Sequence, residues 1–253
     1  MHTSAKPLFE SEYPTPDDAA LLRQATASDI DTLIELNKLC FPSMAEEGVV
    51  WTREQLQSHL RVFPQGQIIV ERSGRVLGAV ASLIIEMGND PYRAHDYEGV
   101  TGGGFFRNHD PEGDTLYGAD VYVHPDVRGQ GLGHLLYDAR RELCRWLNLR
   151  RIAAGGRLQG YAAYAAEMTP AEYVAAVTRG EIHDAVLSFQ LREGFVIRGV
   201  MGRYIRDPLS CDYAAFVEWE NPDYRAPLSR QVARRPRTLT GRRSGLEPRS
   251  PEG

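Results

Sequence analysis

The chain has 253 residues, of which 42% are apolar, 9% aromatic and 25% charged, the balance of a globular enzyme with one or two domains. That composition excludes a collagen, a long coiled coil and a fully disordered chain, and no run of eighteen apolar residues offers a membrane span. The net charge of -5 hides a split. Residues 221–253 carry eight Arg against Asp223, Glu247 and Glu252, a balance of +5, so the other 220 residues sum to -10. An acidic body with a basic tail is not the profile of a nucleic-acid-binding chain, and a membrane partner is not expected either. Residues 1–18 have no apolar run behind a basic patch, so they read as a flexible leader and not as a secretory signal. Cys40, Cys144 and Cys211 are few, odd in number and widely spaced. No metal or disulfide framework fits them, and a reducing cytoplasm is the expected location.

In chain order, residues 21–24 predict a short strand. Ser28 or Asp29 then caps a helix whose Ile30, Leu33, Ile34, Leu36 and Leu39 fall at helical spacing, ended by Pro42. Thr52 opens a second helix, with Gln55 at the capping-box position. Residues 67–71 and 76–86 are strand-rich runs joined at Ser73-Gly74, a hairpin signal. Residues 87–114 break all periodicity, and a loop of that length inside a domain is often functional. Residues 115–124 return to strand. Residues 131–147 predict the best helix, with Leu135, Leu136, Ala139, Leu143, Cys144 and Leu147 on one stripe and Arg140, Arg141, Glu142 and Arg145 mostly outside it.

A short strand at 151–154 follows. Thr169-Pro170-Ala171-Glu172 is a helix start in which Thr caps and Glu reaches back. A helical stretch at 185–192 stops at Gly194, and 195–200 and 214–219 read as closing strands. The fold class expected is α/β: a single domain over residues 19–220, with a mixed central sheet flanked by helices and insertions at 87–114 and 156–184. Residues 221–253, rich in Arg and Pro, bury too little to offset their ordering entropy and are expected to be disordered.

The chemistry concentrates in residues 121–136. A strand ends at His124-Pro125, and a tight loop from Arg128 to Gly133 runs straight into an amphipathic helix. Glycine at 129, 131 and 133 leaves backbone N–H groups unshielded at the positive end of that helix, which suits a ligand with several anionic oxygens. A P-loop needs Gly-Lys-Ser/Thr where this loop ends Gly133-His134-Leu135, and a dinucleotide fingerprint from Gly129 needs Gly or Ala where His134 stands.

The segment His124-Pro-Asp-Val-Arg-Gly-Gln-Gly-Leu-Gly133 resembles the acetyl-CoA signature R/Q-x-x-G-x-G/A of the GCN5-related N-acetyltransferases, filled by Arg128, Gly131 and Gly133. The resemblance extends from Leu21 to Trp219. It takes in Arg23-Gln-Ala-Thr-Ala-Ser-Asp-Ile30 and the helix-then-Gly-Phe ending Leu187-Ser-Phe-Gln-Leu-Arg-Glu-Gly-Phe195. The stretches around 187–200 and 214–219 are also similar to acetyltransferase domains fused ahead of a nitrilase-like hydrolase, although no hydrolase sequence follows in these 253 residues. The family implies direct transfer of an acetyl group from acetyl-CoA to a primary amine in a ternary complex. By that resemblance the amides of Arg128, Gly129, Gln130, Gly131, Leu132 and Gly133 hold the pyrophosphate. Main-chain groups of Val121 and Val123 meet the pantetheine.

Two positions depart from the family pattern. Gln190 stands where many relatives carry a tyrosine as general acid, and Gln cannot give up a proton. Tyr161 and Tyr164 are substitutes by residue type, Tyr164 being the candidate carried forward. Ala119 replaces the first member of an acidic pair, leaving Asp120, a carboxylate in an otherwise apolar strand. Asp120 and Glu86 are the candidates for base or ammonium anchor. His124 reads as structural, the three cysteines read as core residues, and His95, Asp96 and His183 sit in the insertions. Two functions stand side by side: an N-acetyltransferase acting on a small-molecule or peptide amine, and a coenzyme A sensor or interaction module that has lost catalysis. The acidic body favours a cationic acceptor, and a homodimer is compatible with either.

Overall fold

Long apolar runs with β-branched residues build the centre of the molecule. In the computed structural model, residues 11–14, 19–88, 92 and 95–226 are described. Eight strands form one sheet: β1 (Ser11–Pro14), β2 (Ala19–Gln24), β3 (Gln67–Arg72), β4 (Arg75–Ile85), β5 (Thr115–Val123), β6 (Arg151–Arg157), β7 (Val196–Met201) and β8 (Ala214–Glu220), in the order β1-β2-β3-β4-β5-β6-β8-β7. Every neighbouring pair is antiparallel except β5 and β6. The sheet is mixed and helices cover both faces, as the sequence implies.

Alternation along the strands sorts the core into two layers. On one face Leu22, Ile68, Val70, Val80, Leu116 and Ile152 pack under α5 (Leu132–Trp146), whose Leu132, Leu136, Ala139, Leu143 and Cys144 are at most 2% exposed. Helices α6 (Pro170–Thr178) and α7 (Leu187–Arg192) complete that layer. On the other face Ile69, Ala79, Leu83, Tyr117 and Phe216 meet α1 (Ile30–Cys40), α3 (Arg53–Val62) and the segment around α4 (Tyr97–Val100). The capping boxes expected at Thr52–Gln55 and Thr169–Glu172 are both formed. Ser73 and Gly74 turn the β3–β4 hairpin with φ of 51° and 73°, the two positive values a two-residue turn requires.

Several expectations are corrected. Residues 1–18 do not all read as a leader: Ser11–Pro14 pairs with Leu22–Ala19 in β1–β2, and the remaining leader residues lie outside those described. Pro42 stops α1 and then starts a one-turn helix, α2 (Pro42–Glu46), because proline needs no N–H at a first helical position. The 87–114 insertion is not structureless, since it contains α4 with Asp96 as its N-cap. Arg140 is 2% exposed. It follows Leu136 by four residues, so helical spacing places it on the buried stripe. Cys211 is exposed, unlike Cys40 and Cys144. The start of the expected disordered tail is ordered: Asn221 is buried and gives Nδ2–H to the Leu149 carbonyl, and the Arg225 amide donates to Asn148 Oδ1. Residues 227–253 lie outside those described.

Strands β5 and β6 pair only at Thr115–Tyr117 with Arg151–Ala153. Beyond that, β6 stays bound to β8 as far as Arg157, while β5 stays bound to β4. The ladder therefore opens into a wedge between β5 and β6. The β4–β5 register shifts between Ala81 (opposite Asp120) and Ser82 (opposite Gly118), so Ala119 is a bulged residue. A bulge sends the following side chain to the face it would otherwise avoid.

Candidate functional site

The wedge opens into a cavity of about 800 Å³ that runs from the loop before α5 to the α1/α3 face of the sheet. Gly118 to Val123 of β5 form one wall and Ala154, Gly155 and Arg157 of β6 the other. Arg140 reaches the β4–β5 side of the wedge from α5. It donates through Nε to Ser82 Oγ at 3.1 Å and through Nη2 to the carbonyls of Ala81 and Asp120 at 3.2 and 2.5 Å. Gly118 is obligatory here, because a Cβ would lie 2.7 Å from Arg140 Nη1.

At the loop end, Arg128, Gly129, Gly131, Leu132 and Gly133 line the cavity. Gly129 and Gly131 have φ of 77° and 83°, which a side chain would strain. An added Cβ at either would meet no protein atom within 4 Å, so the space above the loop is open to a ligand. The Leu135 amide makes the first intrahelical bond, to the Gly131 carbonyl, leaving the first-turn amides aimed out of the helix end. This cradle fits a pyrophosphate. The three glycines differ in purpose: Gly133 sits 3.1 Å, measured from an added Cβ, from Phe189 of α7, so it serves close helix packing. Leu132 buries its side chain and offers only its amide. Gln130 does not line the cavity, and its Oε1 accepts from Arg72 on the rim. The main-chain groups of the two strand candidates are partly engaged: the Val121 amide donates to Asp120 Oδ1, and the Val123 carbonyl accepts from Cys40 and Arg128.

Asp120 lies on the opposite flank of the cavity from the loop. The Ala119 bulge turns it toward α1 and α3, where its Oδ2 accepts from Asn37 Nδ2 at 3.0 Å and Trp51 Nε1 at 2.8 Å. Burial raises its pKa above the ordinary carboxylate value, opposed by the Trp51 bond, the nearby Arg157 charge, the Val121 amide and Asn37. Phe41, Trp51, Tyr97 and Tyr204 bring aromatic surface around it. Tyr204 packs over Gly155, and its hydroxyl bonds that of Tyr117 at 2.9 Å. Burial lifts both tyrosines well above the ordinary phenol range. Cys40, also on the wall, is pushed by burial up to about 11.

The other two acid–base candidates do not reach this cavity. Glu86 is exposed just beyond Ile85, which pairs with Thr115 at the far end of β5 from Asp120. Tyr164 packs against Tyr173, with ring centroids 5.4 Å apart, on the α6 side, and Tyr161 gives its hydroxyl to the Met168 carbonyl. Arg157 and Gln159 at the start of the 156–184 insertion line the cavity, but Tyr161 and Tyr164 do not; Asp184 ties the insertion beyond them to the α6 side, accepting from Tyr173, Gly160, Val186 and Leu187. His124 accepts from the Asp126 amide and meets Arg75, and His95 meets the Tyr117 hydroxyl at 2.8 Å. Gln190 does line the cavity, and its Oε1 is buried with no hydrogen-bond partner among the described residues.

Sequence reading missed Trp51, Asn37, Arg157 and Tyr137. Tyr137, buried on α5, lines the cavity, and its hydroxyl lies beside the Gln190 amide. One signal was available for Arg157: Gly155-Gly156 inside a strand marks close approach of other side chains.

A family model described as the acetyltransferase (GNAT) family matches residues 30–166. The chain is 44% identical over 205 residues to the probable hydrolase YhcX of Bacillus subtilis (strain 168), a match covering 81% of this chain and 39% of that protein. It is 36% identical over 208 residues to the uncharacterized N-acetyltransferase YkwB of the same organism, covering 82% and 92% of the two chains. Among solved structures, the GphF GNAT-like decarboxylase in complex with isobutyryl-CoA superposes with a TM-score of 0.68 at 24% identity, over 79% of this chain and 98% of that one.

Proposed function

The chain belongs to the acetyltransferase (GNAT) family, and from that premise we propose that it moves the acetyl group of acetyl-CoA directly to a primary amine of a small molecule or peptide. Acetyl-CoA is the family's cosubstrate, and the cradle described above suits its pyrophosphate. The supporting observation is the continuity of one cavity, from the amides before α5, through the opened β5–β6 wedge, to the carboxylate of Asp120.

The proton balance assigns the roles. An ammonium must lose one proton before its nitrogen lone pair can attack the thioester carbon. As the C–N bond forms and the C–S bond breaks, the nitrogen sheds a second proton and the departing thiolate takes one up. Asp120, fixed by Asn37 and Trp51, holds the ammonium and accepts the first proton. Its raised pKa brings it closer to the working range of a general base. Tyr137 stands beside Gln190 and supplies the hydroxyl that Gln190 lacks. Burial keeps that hydroxyl protonated until the thiolate develops.

The test is coenzyme A release with a panel of amines. Asp120→Asn is expected to lower kcat roughly 100-fold and to abolish the rise of rate with pH as Asp120 ionises. Tyr137→Phe is expected to lower kcat about tenfold with KM for acetyl-CoA unchanged. Full rate in Asp120→Asn across pH would remove Asp120 as base. Tight coenzyme A binding with no amine turned over would favour the sensor reading, for which the orphaned Gln190 oxygen and Ala119 speak.

A further inference from the structure

Arg157 lies across the wedge from Asp120, and it resembles neither a surface arginine nor a purely structural one. Along β6, Gly155 faces Tyr204, Gly156 faces Gln190 on the other side of the sheet, and Arg157 returns to the Tyr204 side. The Ala119 bulge puts Asp120 on that same side from β5. Arg157 and Asp120 therefore face one cavity from opposite walls, β6 and β5, each held by different partners. Asp120 is held by Asn37 and Trp51; Arg157 gives Nη1 to the fully buried Asp207 at 2.8 Å and stacks 4.9 Å from the Phe41 ring centroid.

Arg140 offers the contrast. Its Nε and Nη2 go to Ser82 and to two strand carbonyls, so it reads as a brace. A guanidinium carries five N–H donors in a planar fork. Arg157 is oriented by its ion pair with Asp207 while lining the cavity. That suits bidentate capture of a carboxylate. Burying an ammonium or a carboxylate among aromatic rings is costly unless each finds an oppositely charged partner; on the walls of the wedge Asp120 can meet the first and Arg157, itself ion-paired with Asp207, the second.

We propose that the acceptor is an amino carboxylate, its ammonium held at Asp120 and its carboxylate at Arg157, between the rings of Phe41, Trp51, Tyr97 and Tyr204. The proposal rests on the amine-acetylation reading above and names its substrate class. The reaction forms the N–acetyl bond, releases coenzyme A and one proton, and leaves the carboxylate unchanged.

The experiment uses the full chain with saturating acetyl-CoA and reads coenzyme A release. Glycine and phenylalanine are each compared with their carboxamides, and phenylalanine also with phenethylamine. The amino acids are expected to exceed the counterparts that lack a carboxylate by about 30-fold in kcat/KM, the scale of losing one charge-assisted hydrogen-bonded contact. Arg157→Gln is expected to collapse that ratio to near one, and Arg157→Lys to restore part of it. Because Arg157→Gln leaves Asp207 unpaired and can disturb folding, the wild-type ratio decides on its own. Calorimetric titration of phenylalanine into the coenzyme A complex gives a second readout, with binding expected and weakened for the carboxamide. Carboxamides or phenethylamine turned over as well as the amino acids would overturn the proposal while leaving amine acetylation standing. No release with any amine would overturn the acetylation reading and this proposal with it.

Discussion

Gly131 shows how one residue serves backbone and ligand together. It is the N-cap of α5 at φ 83°, a conformation a side chain adopts only at a cost of about 1–2 kcal/mol. Gly131→Ala is expected to destabilise the protein by about 1–2 kcal/mol and to raise KM for acetyl-CoA about tenfold, since the amides of the first turn lose their aim. Steady-state kinetics against acetyl-CoA concentration measures the second effect, and a KM unchanged from wild type would dissociate the loop from the cofactor. Gly133 is the control at the same scale. Its loss of function on substitution should follow from the Phe189 contact and should fall on stability. The glycine spacing and the tight strand-to-helix loop were legible in the sequence. The division of labour among the three glycines was not, because a positive φ and a close neighbour leave the same letter.

At the scale of elements, α3 pins the wall of the cavity made by the segment after α4. Gln55, His59 and Ser58 bond the successive carbonyls of Gly103, Gly104 and Phe105 at 3.3, 2.8 and 2.8 Å. These residues follow helical spacing from the Thr52 cap, so the cap aligns one face of α3 with the glycine turn. His59 is 1% exposed, stacks on Phe106 at 3.6 Å and has Nδ1 buried without a partner. Its Nε2–H donates to the Gly104 carbonyl, while a proton on Nδ1 would have no acceptor among the described residues, so burial disfavours the charged ring. Burial pushes its pKa down to about 4, the Gly104 bond opposing. A base depressed in the folded state binds its proton sooner in the unfolded chain. Its contribution is thus complete above about pH 6.5 and is lost as pH falls toward 4. Stability should drop by roughly 2–3 kcal/mol over that window. Denaturant unfolding at several pH values, compared with His59→Phe, checks this, because the variant should show a flatter profile there. The same element explains why 87–114 misled the sequence reading. Its order comes from α3, some fifty residues upstream, and not from any local period.

Across the whole molecule, the feature on which the proposed function rests is the parting of β5 and β6. Coenzyme A filling the cavity from the loop inward should stabilise the native state by mass action, about 2.7 kcal/mol at a hundredfold excess over its Kd. A thermal shift that grows with coenzyme A concentration and shrinks in Gly131→Ala is the expected outcome. No shift at any concentration would mean the cavity does not take the cosubstrate. Among the described residues no helix is long and apolar enough to cross a membrane. The sequence by itself determined the mixed α/β sheet, the capped helices, the glycine loop ahead of α5 and the oddity of Asp120, because periodicity, capping and turn chemistry act over a few residues. Only the tertiary structure decided which candidates meet. Glu86 and Tyr164 were separated from the cavity by strand register and by the Asp184 anchor, whereas Tyr137, Trp51 and Arg157 were brought to it. One bulged residue at Ala119 turned Asp120 to the face that Arg157 shares. Register is a property of paired strands, and no single strand's sequence carries it.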